Sequence, residues 1–207
     1  IMTKTFGNFT DLMDFSRSSG GTALRKVSYG SELVTNGTFD TDTTGWAAGG
    51  SATISVVSNK IRVTNGAAAY GYAYQSVTTV AGRIYTLNID VAAGTADGFV
   101  RVGTSVGGNE IYDGFDVNTG NHTVNFVATT TTTWLRIGCS TNVTSEYCDY
   151  DNVSVKEVTL DSGSDDPVLF NHPADIPRIE YATDGTVKGL LIEEARTNLL
   201  TYSEELT

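Results

Sequence analysis

Basic residues are scarce in this chain: 13 Lys and Arg stand against 24 Asp and Glu, a formal charge of −11 over 207 residues. A phosphate-backbone binder needs clustered Lys and Arg, so nucleic acid is excluded as the expected partner. Charge of either sign is thin, at 18% of residues against the usual quarter. No apolar run reaches 18 residues, so the sequence offers no membrane-spanning helix and no membrane insertion is expected. There are two cysteines, three prolines and two histidines. Cys139 and Cys148 bracket an eight-residue polar stretch with Asn142 and Ser145, and no His nearby makes it a zinc site. That spacing leaves a cross-strand disulfide and two free thiols both open. His122 and His172 stand beside no Ser or Cys nucleophile motif, and Gly-x-Ser-x-Gly, phosphate-loop and His-Glu-x-x-His patterns are missing. A glycosidase needs two placed carboxylates, and no acid here sits in such a motif. The residues point to a protein that binds or displays rather than catalyses.

What is present is a strand pattern. Hydrophobic residues reach 40%, enough for a core, with ten Tyr among them. Residues 53–57, 60–63, 84–91, 99–102, 124–128, 134–137 and 153–156 alternate polar and apolar side chains. Leu33-Val34 and Ile111 to Phe115 are expected as further short strands. Gly, Asn and Asp clusters separate these runs every 8–12 residues or so, which is the signal of a sandwich or barrel. No stretch sustains helical periodicity. Net charge divides the chain as +2 over 1–30, −6 over 31–159 and −7 over 160–207. The expected organisation is an extended leader or attachment segment at 1–30, a β-sandwich at 31–159, and a linker and strand-containing connector at 160–207. Within the last part, Ile179-Glu180-Tyr181, Asp184-Gly185 and Gly189 to Ile192 predict a hairpin. Ile1 preceding Met2, and an end at Thr207 without a closing signal, predict a piece of a longer chain.

Tyr70, Tyr72 and Tyr74 recur at period two and share one strand face. Such a stripe can stack sugar rings, with Gln75 or Arg101 taking hydroxyls and Tyr112 and Phe115 nearby in a Gly-rich stretch. An aromatic stripe on a strand is more often a core or interface face. Gly71 and Ala73 leave the opposite face small, which turns the tyrosines inward. Trp46 and Trp134 read as core.

Two resemblances follow from particular residues. Glu32 to Asp40 with Gly45-Trp46 resembles the opening of carbohydrate-binding modules of the CenC-like jelly-roll type. Tyr74 to Val77 with Ala81 to Leu87 resembles their central hairpin, and Asp149 to Val155 their closing strand. This implies an all-β jelly-roll sandwich over 31–159 with extended N- and C-terminal flanks. It also implies a structural Ca²⁺ between the opening loop and the last strand, at Asp40 and Asp151. A hard cation takes carboxylates and backbone carbonyls, and Asp149 and Asp151 on one strand face repel unless a cation stands between them. Asp14 to Arg17, Ile176 to Tyr181 and Gly189 to Ser203 resemble segments of tailed-phage virion proteins, especially fibre-like ones. That second resemblance implies a tail or fibre component of a virion, a homo-oligomer of trimeric type, other virion subunits as partners and a host-surface glycan as ligand. The alternative is a secreted carbohydrate-binding module attached to a glycoside-active enzyme.

Overall fold

A computed structural model describes residues 21–92, 94–161, 167–174, 179–182 and 184–190. Alternation became strand almost wherever it was strict. The flanking strands are β1 (Gly21–Arg25) and β2 (Val27–Tyr29). The middle of the chain forms β3 (Ala47–Gly49), β4 (Ala52–Val56), β5 (Ile61–Asn65), β6 (Tyr72–Thr78), β7 (Ile84–Ala92) and β8 (Gly98–Gly103). Then come β9 (Tyr112–Val117), β10 (Gly120–Val127), β11 (Thr132–Cys139) and the long β12 (Tyr147–Leu160). Three short strands follow: β13 (Val168–His172), β14 (Ile179–Tyr181) and β15 (Val187–Leu190).

The strands from β5 to β12 make a jelly roll. One sheet runs β5-β12-β7-β10 and the facing one β6-β11-β8-β9, so the first and last of the eight pair, and the second and seventh. All these pairings are antiparallel. β4 extends the first sheet and β3 the second. Between the sheets, Ile61, Val63, Leu87, Ile89, Val91 and Val155 meet Ala73, Val77, Val100, Val102, Leu135 and Ile137. Each large side chain removed from water in this way contributes about 1.5–3 kcal/mol against chain entropy. Tyr150, fully buried, reaches from β12 across the core and donates its hydroxyl to the carbonyls of Gly138 (2.6 Å) and Phe99 (3.1 Å) in the other sheet.

Leu33-Val34 is no strand. The Glu32 carboxylate takes the amides of Leu33, Val34 and Val155 at 2.8–3.0 Å and the Ser154 hydroxyl at 2.5 Å, fastening the opening segment to β12 by a side chain. The flanks are less detached than the pattern implied. β1 pairs with β13, and β2 adds to the end of β12. Together they close a small second core of Ile84, Val158 and Phe170, backed by Val27, Val127 and Leu160. The pairing partners lie at opposite ends of the chain, so local periodicity could not show them. The hairpin expected near 179–190 is present as β14–β15, with Gly185 at φ 82° in its turn. The segments around Asp14 to Arg17, residues 162–166 and 175–178, and the run from Leu191 to Ser203 lie outside the described residues.

Candidate functional site

Leu135 and Ile137 on β11 point into the core, so Trp134 and Arg136 must point out. The same alternation on β6 buries Ala73, Gln75 and Val77 and leaves Tyr72 and Tyr74 half-exposed on the outer surface. This reverses the inward placement of the tyrosines, and it moves Trp134 out of the core. The small inner face of β6 is not spare room. Gln75 there receives the Thr35 amide at 2.7 Å and donates to the carbonyls of Thr35 (2.9 Å) and Gly45 (3.0 Å). It thereby holds the opening segment that carries Phe39 and Trp46 into the core. Gln75, 6% exposed and with its amide engaged, is a clamp rather than a surface group. Trp46 is core as expected, its ring 5.6 Å from Phe39 and its Nε1 donating to Thr35 O.

The outer face of the β3-β6-β11-β8-β9 sheet has a regular layout. One row across it reads Ala47, Tyr74, Arg136, Arg101 and Asp113, each opposite the next. A neighbouring row reads Gly49, Tyr72, Gly138 and Phe99. On the other side Ser76 faces Trp134. Ring centroids of Tyr72 and Tyr74, and of Tyr74 and Trp134, are each 5.9 Å apart. Tyr70 adds an edge to Phe115 at 5.8 Å, and Phe115 stacks parallel on Phe99 at 6.4 Å. The rings lie low on the sheet because glycines are beneath them: any side chain at Gly49 would strike the Tyr72 ring, and one at Gly138 the Phe99 ring. Tyr112, opposite Val102, is half-buried and packs against the main core instead of joining the row.

Two arginines sit at the centre. Arg101 donates Nε to Asp113 at 2.5 Å, and Asn109 holds the other carboxylate oxygen at 2.6 Å. Burial opposes ionisation of Asp113, but those two hydrogen bonds and the Arg101 charge hold its pKa below the usual value. Arg136 lies over Tyr72 (4.9 Å) and Phe99 (5.4 Å) and donates Nη1 to Gly107 O at 3.1 Å. Burial, and then the charge of Arg101, lower its pKa.

The Asp40 and Asp151 pair is not brought together by any interaction. Asp40 accepts from the Thr38 hydroxyl at 2.8 Å, while Asp151 takes the Asn152 amide at 2.8 Å and lies 3.5 Å from Lys60 Nζ. Asp149 forms a bidentate pair with Arg62 at 2.8 and 2.7 Å. Each of the two strand-face carboxylates therefore has a cation of the protein's own, and the repulsion that asked for Ca²⁺ is answered by Arg62 and Lys60. Among the described residues no three carboxylate, His or Cys groups converge. Cys139 and Cys148 are free and fully buried. Burial is the first cause pushing their thiols up, to about 12 and about 11.

What the sequence missed at this face is Trp134 and Arg136 as outward groups. The signal was there in Leu135 and Ile137, whose aliphatic character fixes the parity of β11.

No family model matches the chain, and no curated protein matches it. Among solved structures, one described as a family 4 carbohydrate-binding module is 15% identical, with TM-score 0.48, over 60% of this chain and 99% of the other. A family 29 carbohydrate-binding module complexed with mannohexaose is 10% identical, TM-score 0.43, over 64% of this chain and 92% of that one. Tailspike protein 4 of bacteriophage CBA120, in its enzymatically active domain, is 14% identical, TM-score 0.45, over 61% of this chain and 21% of that one.

Proposed function

We propose that the jelly roll is a non-catalytic glycan-binding module whose ligand lies on the outer face of the β3-β6-β11-β8-β9 sheet. The observation that carries this reading is the half-exposed run Tyr72, Tyr74 and Trp134 on one sheet face, neighbouring ring centroids 5.9 Å apart and ring planes tilted by 51° and 49°. Flat aromatic faces take the C–H faces of sugar rings, and large rigid rings cost little entropy to fix. The binding is shallow, so single contacts are weak and multiple copies supply avidity. The proposed setting, resting on the flanking sequences, is a fibre or tail component of a tailed-phage particle, oligomeric and facing a host-surface glycan.

The test is affinity electrophoresis and a glycan array with the wild type, Trp134→Ala and Tyr74→Ala. Loss of Trp134 should weaken binding at least tenfold, about 1.4 kcal/mol, with the circular dichroism spectrum unchanged. No binding to any host or plant polysaccharide, or binding indifferent to both substitutions, would reject the face as the site. Electron microscopy of the source particle or the full-length protein tests the setting: symmetric copies on a virion support it. A monomer fused to a catalytic domain replaces it with an enzyme's targeting module.

A further inference from the structure

Arg136 and Arg101 stand directly opposite each other on β11 and β8, two like charges in one register position. Neighbouring strands bring such a pair within a few ångströms, which is destabilising unless something neutralises it. Arg101 has its own carboxylate in Asp113, which is further occupied by Asn109. Arg136 has none in contact: no ion pair reaches it among the described residues, Asp113 and Glu110 act on it only through their charge at a distance, and its buried Nε donates no hydrogen bond. Its Nη1 donates to a neutral carbonyl, Gly107 O. Glu110 is the other nearby acid, and its carboxylate is turned to the Thr104 amide at 3.2 Å. A half-buried guanidinium with unused donors, flanked by Tyr72, Tyr74 and Trp134, is a fork without its planar anion. The rest of the protein carries net negative charge, so this is a local exception rather than part of a basic surface.

We infer that the glycan bound on this face is anionic, and that Arg136, with Arg101 behind it, receives an oxyanion of the saccharide, a carboxylate or sulfate carried on the sugar. The inference rests on the glycan-binding reading above and names the ligand class for the same site. The aromatic rings supply stacking for any sugar, and Arg136 supplies the selection for acidic ones. Because the pair sits on a sheet surface near solvent, the charge contribution falls as salt rises.

The experiment uses the array with neutral, uronate-bearing and sulfated polysaccharides, wild-type protein, Arg136→Met and Trp134→Ala. Every bound polysaccharide with carboxylates is also tested after chemical reduction of those carboxylates to alcohols. The expected result is that the bound members are acidic. Arg136→Met should lose tenfold or more on them, carboxyl reduction should remove binding to the uronate members, and Trp134→Ala should weaken all. Titration with glucuronate against glucose, watching the Arg136 side-chain N–H signals, gives a readout independent of the array: glucuronate shifts them and glucose does not. Neutral members bound equally well, with Arg136→Met unchanged, overturn this inference and leave the glycan-binding reading standing. No member bound by the folded wild type overturns both. A drop in melting temperature for Arg136→Met with affinity for acidic members within twofold assigns Arg136 to stacking on Tyr72 and Phe99 alone, and also overturns it.

Discussion

At the scale of single residues, what a side chain can do here follows from which sheet face its position parity selects. Cys139 and Cys148 are the clearest case. Both face the core at 0% exposure, and burial holds both thiols well above neutrality, at about 12 and about 11. At pH 8 a thiol of pKa about 11 is ionised in about one molecule in a thousand, and the thiolate is the reactive form. Native protein should therefore give no reaction with a disulfide reagent at pH 8, and two thiols should react once denaturant is added. Fewer than two in denaturant, without prior reduction, would mean that the pair is bonded after all. Gln75 and Tyr72 make the same point from the other direction. Three positions apart on β6, they fall on opposite faces, so one is a clamp at 6% exposure and the other a half-exposed ring. The polar residue is inside and the aromatic one outside, which inverts the usual expectation for each type.

At the scale of elements, the strands between 52 and 160 could largely be read from period-two alternation, because that is the physical consequence of a half-buried strand, whereas β3 (Ala47–Gly49) was not expected. The order in which they pair could not, since antiparallel neighbours such as β5 and β12 are brought together by the roll and not by a local turn. Face assignment failed at β6 for a related reason. Small residues at Gly71 and Ala73 looked like a solvent face, but Ala73 lies in the main core with Phe39 and Trp46, and Asn65 and Ala52 close over Gly71. Besides the Gln75 clamp, that opening segment is held by one carboxylate. Glu32 accepts three backbone amides and one hydroxyl, and although burial works the other way, these bonds lower its pKa from 4.5. A carboxylate whose folded pKa lies below its unfolded one stabilises the protein above the unfolded value and stops doing so as pH falls through the folded one. Glu32→Gln should cost about 1 kcal/mol at pH 7, the site being solvent-facing. The difference should shrink below pH 4.5 and vanish in stronger acid. Urea midpoints for the two proteins at pH 7 and pH 3 measure this, and an equal gap at both values would show that the charge of Glu32 contributes nothing.

For the whole molecule, the arrangement of the flanks decides how the module is carried. The chain arrives along β1 and β2 and leaves along β13, and β1 and β13 run antiparallel side by side from Gly21 opposite His172 to Arg25 opposite Val168. Arriving and departing segments therefore meet at one end of the roll, over Ile84, Val158 and Phe170. A module held in this way has its entering and leaving strands paired side by side. No sequence window could reveal it, because neither β1 nor β13 alternates for long enough to be recognised alone. The junction is fastened by Arg25, 2% exposed, whose guanidinium binds both oxygens of Asp161 (2.9 and 2.5 Å), the residue at the end of β12 with φ 59°. Asp161→Asn keeps the size and tolerates the left-handed backbone while removing the charge. It should weaken the junction by about 1.5–3 kcal/mol, the range for a hydrogen-bonded charge whose partner is buried. Because the small core is separate from the main one, the loss should fall on the flanks alone. Hydrogen exchange at the amides of β1 and β13 should speed up tenfold or more, while β7, β11 and β12 up to Val155 keep their protection. Faster exchange throughout the roll would mean that the flanks are part of a single cooperative unit with the β3-β6-β11-β8-β9 sheet, and that the module cannot be moved to another scaffold without them.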